Sequence, residues 1–148
     1  MTIEKAILEK NEAENADMYI ARVIFNYYRA HVMNAIEKSG DDYDISARGT
    51  WFAAKRNNRI ILLEIVEVIK GDNHALAVRT STFCQRERVF TAFTKVSDLS
   101  DRRHINDVVK ALDDLIIRHK ASKKGLLGKN MEDWKGQYSG DVWYAYVK

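Results

Sequence analysis

Eight of the ten residues from Ile60 to Ile69 are apolar, and they serve both faces of an extended chain. Ile60, Leu62, Val66 and Val68 alternate to one side, and Ile61, Leu63, Ile65 and Ile69 to the other. A strand with two apolar faces must be covered on both, so Arg59 to Ile69 is expected in the middle of a sheet. Glu64 and Glu67 interrupt the run, and it is far shorter than the roughly 20 residues a membrane helix needs. No membrane association is expected.

The flanking segments supply partners for that strand. Thr50 to Arg56 reads as a strand joined to it by Asn57-Asn58, because asparagine tolerates the left-handed backbone of a two-residue hairpin turn. Gly71-Asp72-Asn73 marks the next turn, and Ala75 to Thr82 and Arg86 to Thr94 read as two further strands. Upstream, residues 3 to 38 are rich in alanine, glutamate and long aliphatics and read as helix, interrupted near Asn11 to Asn15 and stopped by Ser39-Gly40. Met18, Ala21, Phe25, Tyr28, Val32 and Ala35 recur three and four apart as its inner face. Ile20, Val23, Ile24 and Tyr27 add a second apolar flank, a surplus face suited to a protein partner or a second copy of the chain.

Gly40 to Arg48 reads as a loop whose Asp41, Asp42 and Asp44 are solvated, with a divalent cation held by their oxygens as the weaker alternative, since a lone Asp-x-Asp is little evidence for one. From Ser100, taken as the N-cap, a second helix is expected to reach about Ala121, with Ile105, Val108, Val109, Leu112, Leu115 and Ile116 inward. Arg103, Asp107, Lys110, Asp114 and Arg118 form its charged outer face. Ser122 to Gly140 reads as a basic, glycine-dotted loop and Asp141 to Lys148 as a closing strand. The expected fold is α+β: an N-terminal helix, a four-stranded mainly antiparallel sheet, a second helix and a C-terminal strand, in one domain over residues 1–148.

Charge is segregated along this order. Residues 1–44 carry 9 acidic against 5 basic residues, and residues 45–148 carry 12 against 19. A total of +3 hides that split, which suits a protein offering a basic surface to a polyanion. Three clusters concentrate the cations. Lys55, Arg56 and Arg59 surround the Asn57-Asn58 turn, where the amides would reach base edges or sugar. Arg79, with Thr80, Ser81 and Thr82, and then Gln85, Arg86 and Arg88 bracket the next connection, a mixture of hydroxyls and guanidinium groups that grips phosphate. If that connection is tight, Arg79 comes close to Arg86 or Arg88 and needs a carboxylate or an anion nearby. Arg118, His119 and Lys120 end the second helix, and Lys123, Lys124 and Lys129 follow in the loop. The aromatics beside these cations read mostly as core, and Phe83, Trp134 and Tyr138 are the candidates if any is exposed for stacking on bases.

No complete catalytic or metal motif is present. The four histidines lie at no metal-ligand spacing from one another or from Cys84, and Gly125-Leu-Leu-Gly128-Lys129 is not a phosphate loop. Cys84 stands alone, which excludes an intrachain disulfide, and it reads as a small buried thiol in a reducing cytoplasm. Met-Thr-Ile-Glu-Lys is not the start of a secretory leader. The element order loosely resembles that of restriction-endonuclease-like nucleases, but Glu64-Ile-Val and Glu67-Val-Ile lack the lysine of their Glu-x-Lys. That resemblance implies at most a metal-dependent nuclease using Glu64, Glu67 and a loop aspartate.

The favoured expectation is a cytoplasmic, non-enzymatic nucleic-acid-binding protein, regulatory in role and without cofactor or metal. It would grip phosphates with Lys55, Arg56, Arg59, Arg79, Arg86, Arg88, Lys123 and Lys124. The alternative is a protein-interaction module or inhibitor working through the apolar face of the first helix or the aromatic segment from Trp134 to Tyr146, with homodimer formation as one form of it.

Overall fold

A computed structural model describes residues 3–70, 73–85, 87–119, 126–127 and 135–137. Helix α1 spans Ile3–Ser39, unbroken at Asn11 to Asn15, and is followed by strands β1 (Asp44–Arg48), β2 (Trp51–Arg56), β3 (Arg59–Lys70), β4 (Asn73–Cys84) and β5 (Glu87–Lys95). A 3-10 turn over Val96–Ser100 leads into helix α2 (Arg102–Ile116), and the short strands β6 (Leu126–Leu127) and β7 (Lys135–Gln137) follow. Strands β1 to β5 form an antiparallel meander in sequential order. β6 adds to β5 in parallel, and β7 pairs with the far end of β3. The α+β class and the antiparallel sheet agree with the sequence, and β3 is central.

The sheet begins with a strand more than expected, since β1 occupies part of the presumed acidic loop. Its side chains are exposed or half-buried throughout, so it carries no apolar alternation to betray it. The basic stretch after α2 is likewise not loop throughout, because β6 and β7 fall within it. The closing strand expected over Asp141 to Lys148 lies outside the described residues.

Both helices pack on one face of the sheet. Ala21, Ile24, Phe25, Tyr28, Val32 and Ala35 of α1 and Val108, Ala111, Leu112, Leu115 and Ile116 of α2 meet Phe52, Ala54, Ile61, Leu63, Ile65, Val78, Phe90 and Ala92. Residues alternating with these point to the opposite face, where Ala53, Ile60, Leu62 and Phe83 form one cluster and Val66 and Ala77 another. From Ile60 to Val66 the two faces of β3 are therefore both buried, as its composition requires. His31 Nε2 lies 2.8 Å from Asp113 Oδ1 and ties α1 to α2.

The N-cap of α2 is Asp101, one residue beyond Ser100, which closes the 3-10 turn. Its Oδ1 accepts a hydrogen bond from the His104 backbone N–H at 3.2 Å. Asp101→Ala is expected to cost about 1 kcal/mol of stability in urea denaturation, and Asp101→Asn far less, since asparagine caps equally well. Equal losses for the two would remove the capping role.

Candidate nucleic-acid interface

Three separate parts of the chain meet at one end of the sheet. The β2–β3 hairpin tip brings Arg56, Asn57, Asn58 and Arg59, the β4–β5 turn brings Cys84 and Gln85, and the segment after α2 brings His119. Together they line a pocket of about 290 Å³. The register explains the meeting: Arg56 faces Arg59 across the hairpin, and Arg59 is the cross-strand partner of Cys84. The Gln85 N–H donates to the Asn58 carbonyl at 3.0 Å, which locks the two turns side by side.

Two arginines directly opposite each other repel, so the pocket needs a compensating group. Asp41, just before β1, supplies it. Arg56 Nη2 lies 3.6 Å from Asp41 Oδ1, and Arg56 Nη1 donates to the Asp42 carbonyl at 3.1 Å. His119 Nε2 stands 3.5 Å from Asp41 Oδ2, and Arg59 Nη1 donates to His119 Nδ1. Arg59 and Asp41 thus meet the two ring nitrogens of His119 from opposite sides. Two guanidinium groups against one carboxylate leave one surplus positive charge, in a half-exposed setting where an anion would be welcome. Tyr43 sits beside Arg59, and burial raises its hydroxyl pKa above the ordinary value despite the opposing pull of that arginine.

The backbone here is unusual. Asn57 (φ 52°), Gln85 (φ 54°) and His119 (φ 54°) are the non-glycine residues with left-handed backbones among the described residues, and all three line this pocket. Such conformations cost roughly 1–3 kcal/mol each and gather where surrounding structure or function holds them.

The candidate phosphate ligands divide. Arg56 and Arg59 line the pocket, and Lys55 is exposed at the end of β2 beside its cross-strand partner Asp44. Arg88 stacks on Phe83 at 5.4 Å, on the sheet face away from the helices. Arg79 does not belong to the surface. It is fully buried in mid-strand, its Nε and Nη2 bonded to Glu64 Oε1 at 3.0 and 2.5 Å. The expectation failed because β4 continues to Cys84, so Thr80, Ser81 and Thr82 are buried strand residues and not turn hydroxyls. Arg79 consequently faces Phe93, well away from Arg88. Phe83 is buried too, and offers no free ring for stacking on a base. Arg86, Lys123, Lys124, Trp134 and Tyr138 lie outside the described residues.

Sequence reasoning missed the part played by His119, which lines the pocket, and by Asp41, which contacts Arg56 and His119 beside it. His119 lies 60 residues from Arg59 along the chain, and no local pattern links them. The nuclease alternative loses its carboxylate pair. Glu64 is buried against Arg79, whereas Glu67, three residues on in the same strand, points to the opposite pleat face and is exposed. Among the described residues no group of three or more metal-ligating side chains converges, and no helix is long and apolar enough to cross a membrane. No protein-family model, curated protein or solved structure matches this chain.

Proposed function

We propose that this chain is a non-enzymatic nucleic-acid-binding protein of the cytoplasm that grips phosphate at the hairpin end of its sheet. What supports the proposal above all is the convergence of Arg56, Arg59, Asn57, Asn58, Gln85 and His119 on one polar pocket from three distant segments. Guanidinium groups supply attraction to phosphate, and the neighbouring amides, which both donate and accept, suit base edges or sugar. Lys55 extends the same surface. A half-buried thiol at Cys84, without a disulfide, fits a reducing compartment.

The double variant Arg56→Ala/Arg59→Ala tests this directly by fluorescence anisotropy on a labelled oligonucleotide across a salt series. Removing two phosphate contacts should weaken binding at low salt. It should also flatten the plot of log affinity against log salt by about 1.4–1.8 units. Lys110→Ala, on the exposed face of α2, serves as the control. An unchanged slope in the double variant would remove the hairpin end from the interface.

A second proposal, a protein-interaction module, draws on a different surface. Tyr19, Val23 and Tyr27 recur four apart along α1 and are 70, 41 and 54% exposed. An apolar stripe of this kind is the usual mark of a contact surface. Affinity for a protein partner docked there would fall far less in salt than affinity for a polyanion.

A further inference from the structure

Resting on the proposal that the hairpin end binds nucleic acid, we infer that its pocket receives one unpaired nucleotide of a strand, from an end or an unstacked position, rather than the flank of a duplex. The shape is the first ground. A volume of about 290 Å³ is close to the small end of small-molecule sites, and it lies between two turns and the segment after α2. A duplex backbone is convex and would meet only the rim. A nucleotide free of its stack would enter.

The lining is the second ground. Arg56 and Arg59 stand on one hairpin with their backbones directly paired, a spacing that lets both reach one phosphate. Asn57, Asn58 and Gln85 carry amides that each offer a donor pair and an acceptor, the complement of a base edge once that edge is no longer paired. Duplex pairing occupies the Watson–Crick edge and leaves only the groove edges, so these amides would meet a wider set of partners on an unpaired base.

The third ground is strain. The left-handed residues Asn57, Gln85 and His119 all line this pocket at a backbone conformation that glycine would adopt without penalty. Gln85 is the clearest of them, because glutamine has none of asparagine's tolerance for this region. A glutamine kept where glycine is easier implies a use for its amide. Its backbone N–H is already bound to Asn58, so the use belongs to the side chain.

The test measures affinity by anisotropy for a labelled 20-nucleotide single strand, the same sequence as a blunt duplex, and that duplex with a short overhang. Free nucleoside monophosphates are added as competitors. The single strand and the overhang are expected to bind about tenfold tighter than the blunt duplex, since a good paired hydrogen-bond contact to one base contributes on that scale. Gln85→Gly combined with Asn58→Ala should bring single-strand affinity down to the blunt-duplex level. Gln85→Gly alone should melt no lower than the parent, which separates lost contact from lost fold. Equal affinity for single strand and blunt duplex would overturn the inference and leave nucleic-acid binding standing. No binding of any probe at low salt would overturn both. Free monophosphates binding as tightly as the strand would assign the pocket to a soluble nucleotide and overturn the claim for a strand.

Discussion

Replacing Glu64 by alanine is expected to remove about 3–5 kcal/mol of folding stability, the largest effect of any single substitution argued for this protein. Glu64 and Arg79 are direct cross-strand partners on the two central strands, and neither side chain is exposed at all. Their row across the sheet continues to Trp51 on β2 and Phe93 on β5. Removing the carboxylate takes away the acceptor of two guanidinium hydrogen bonds inside the sheet, and arginine cannot shed its charge at any ordinary pH. The penalty therefore includes the desolvation of a buried cation that has lost this carboxylate, and not merely one missing hydrogen bond.

The reverse substitution is not its mirror image. Arg79→Ala instead leaves a buried carboxylate without its arginine and a larger space for the neighbours to fill. Replacing both together, as Glu64→Leu/Arg79→Met, keeps volume without charge and should cost little or even stabilise. Urea denaturation of the parent, both single variants and the double variant at pH 7 gives a complete cycle. Additive losses in the double variant would show that the two side chains are not coupled, and would remove the ion pair as the explanation of their burial.

That same pair shows where sequence reasoning stops. The central position of β3 was legible because its two apolar faces leave no other place for it, and Asn57-Asn58 was legible as a turn because few residues accept φ 52°. The inner face of α1 followed from spacing alone, with Ala21, Phe25, Tyr28, Val32 and Ala35 all buried. Arg79 was misplaced because an arginine among threonines and serine looks alike in a polar turn and in a buried strand; only the strand opposite, which brings Glu64, decides between them. β1 escaped notice for the converse reason, since an exposed edge strand needs no apolar residues. In the pocket, Arg56 and Arg59 were recognisable as a local cluster. Asp41 and His119, which hold those arginines in place, are joined to them only by the tertiary fold.

Alkaline conditions should expose a second buried polar group. Tyr28 of α1 is fully buried, its hydroxyl 2.8 Å from Thr94 Oγ1, and Thr94 Oγ1 in turn lies 2.8 Å from His104 Nε2 on α2. Burial is the main cause that pushes the Tyr28 pKa from 10.0 up to about 12; the Thr94 hydrogen bond opposes the shift, and the charge of Asp98 reinforces it. A tyrosine with a raised folded-state pKa contributes stability that is complete below pH 10 and lost as pH climbs through about 12, because the unfolded chain ionises first. A shift of that size corresponds to roughly 2–3 kcal/mol. Tyr28→Phe should give up about 1 kcal/mol at pH 7 with the Thr94 bond, and should then decline less steeply than the parent between pH 10 and 12. Tyr43, whose pKa is also raised by burial, leaves a residual slope that Tyr28→Phe/Tyr43→Phe should reduce further. Chemical denaturation repeated from pH 7 to pH 12 reads the difference directly. Parallel stability curves for the parent and Tyr28→Phe would mean that the phenol ionises as easily inside the protein as outside it, and that burial does not hold it neutral.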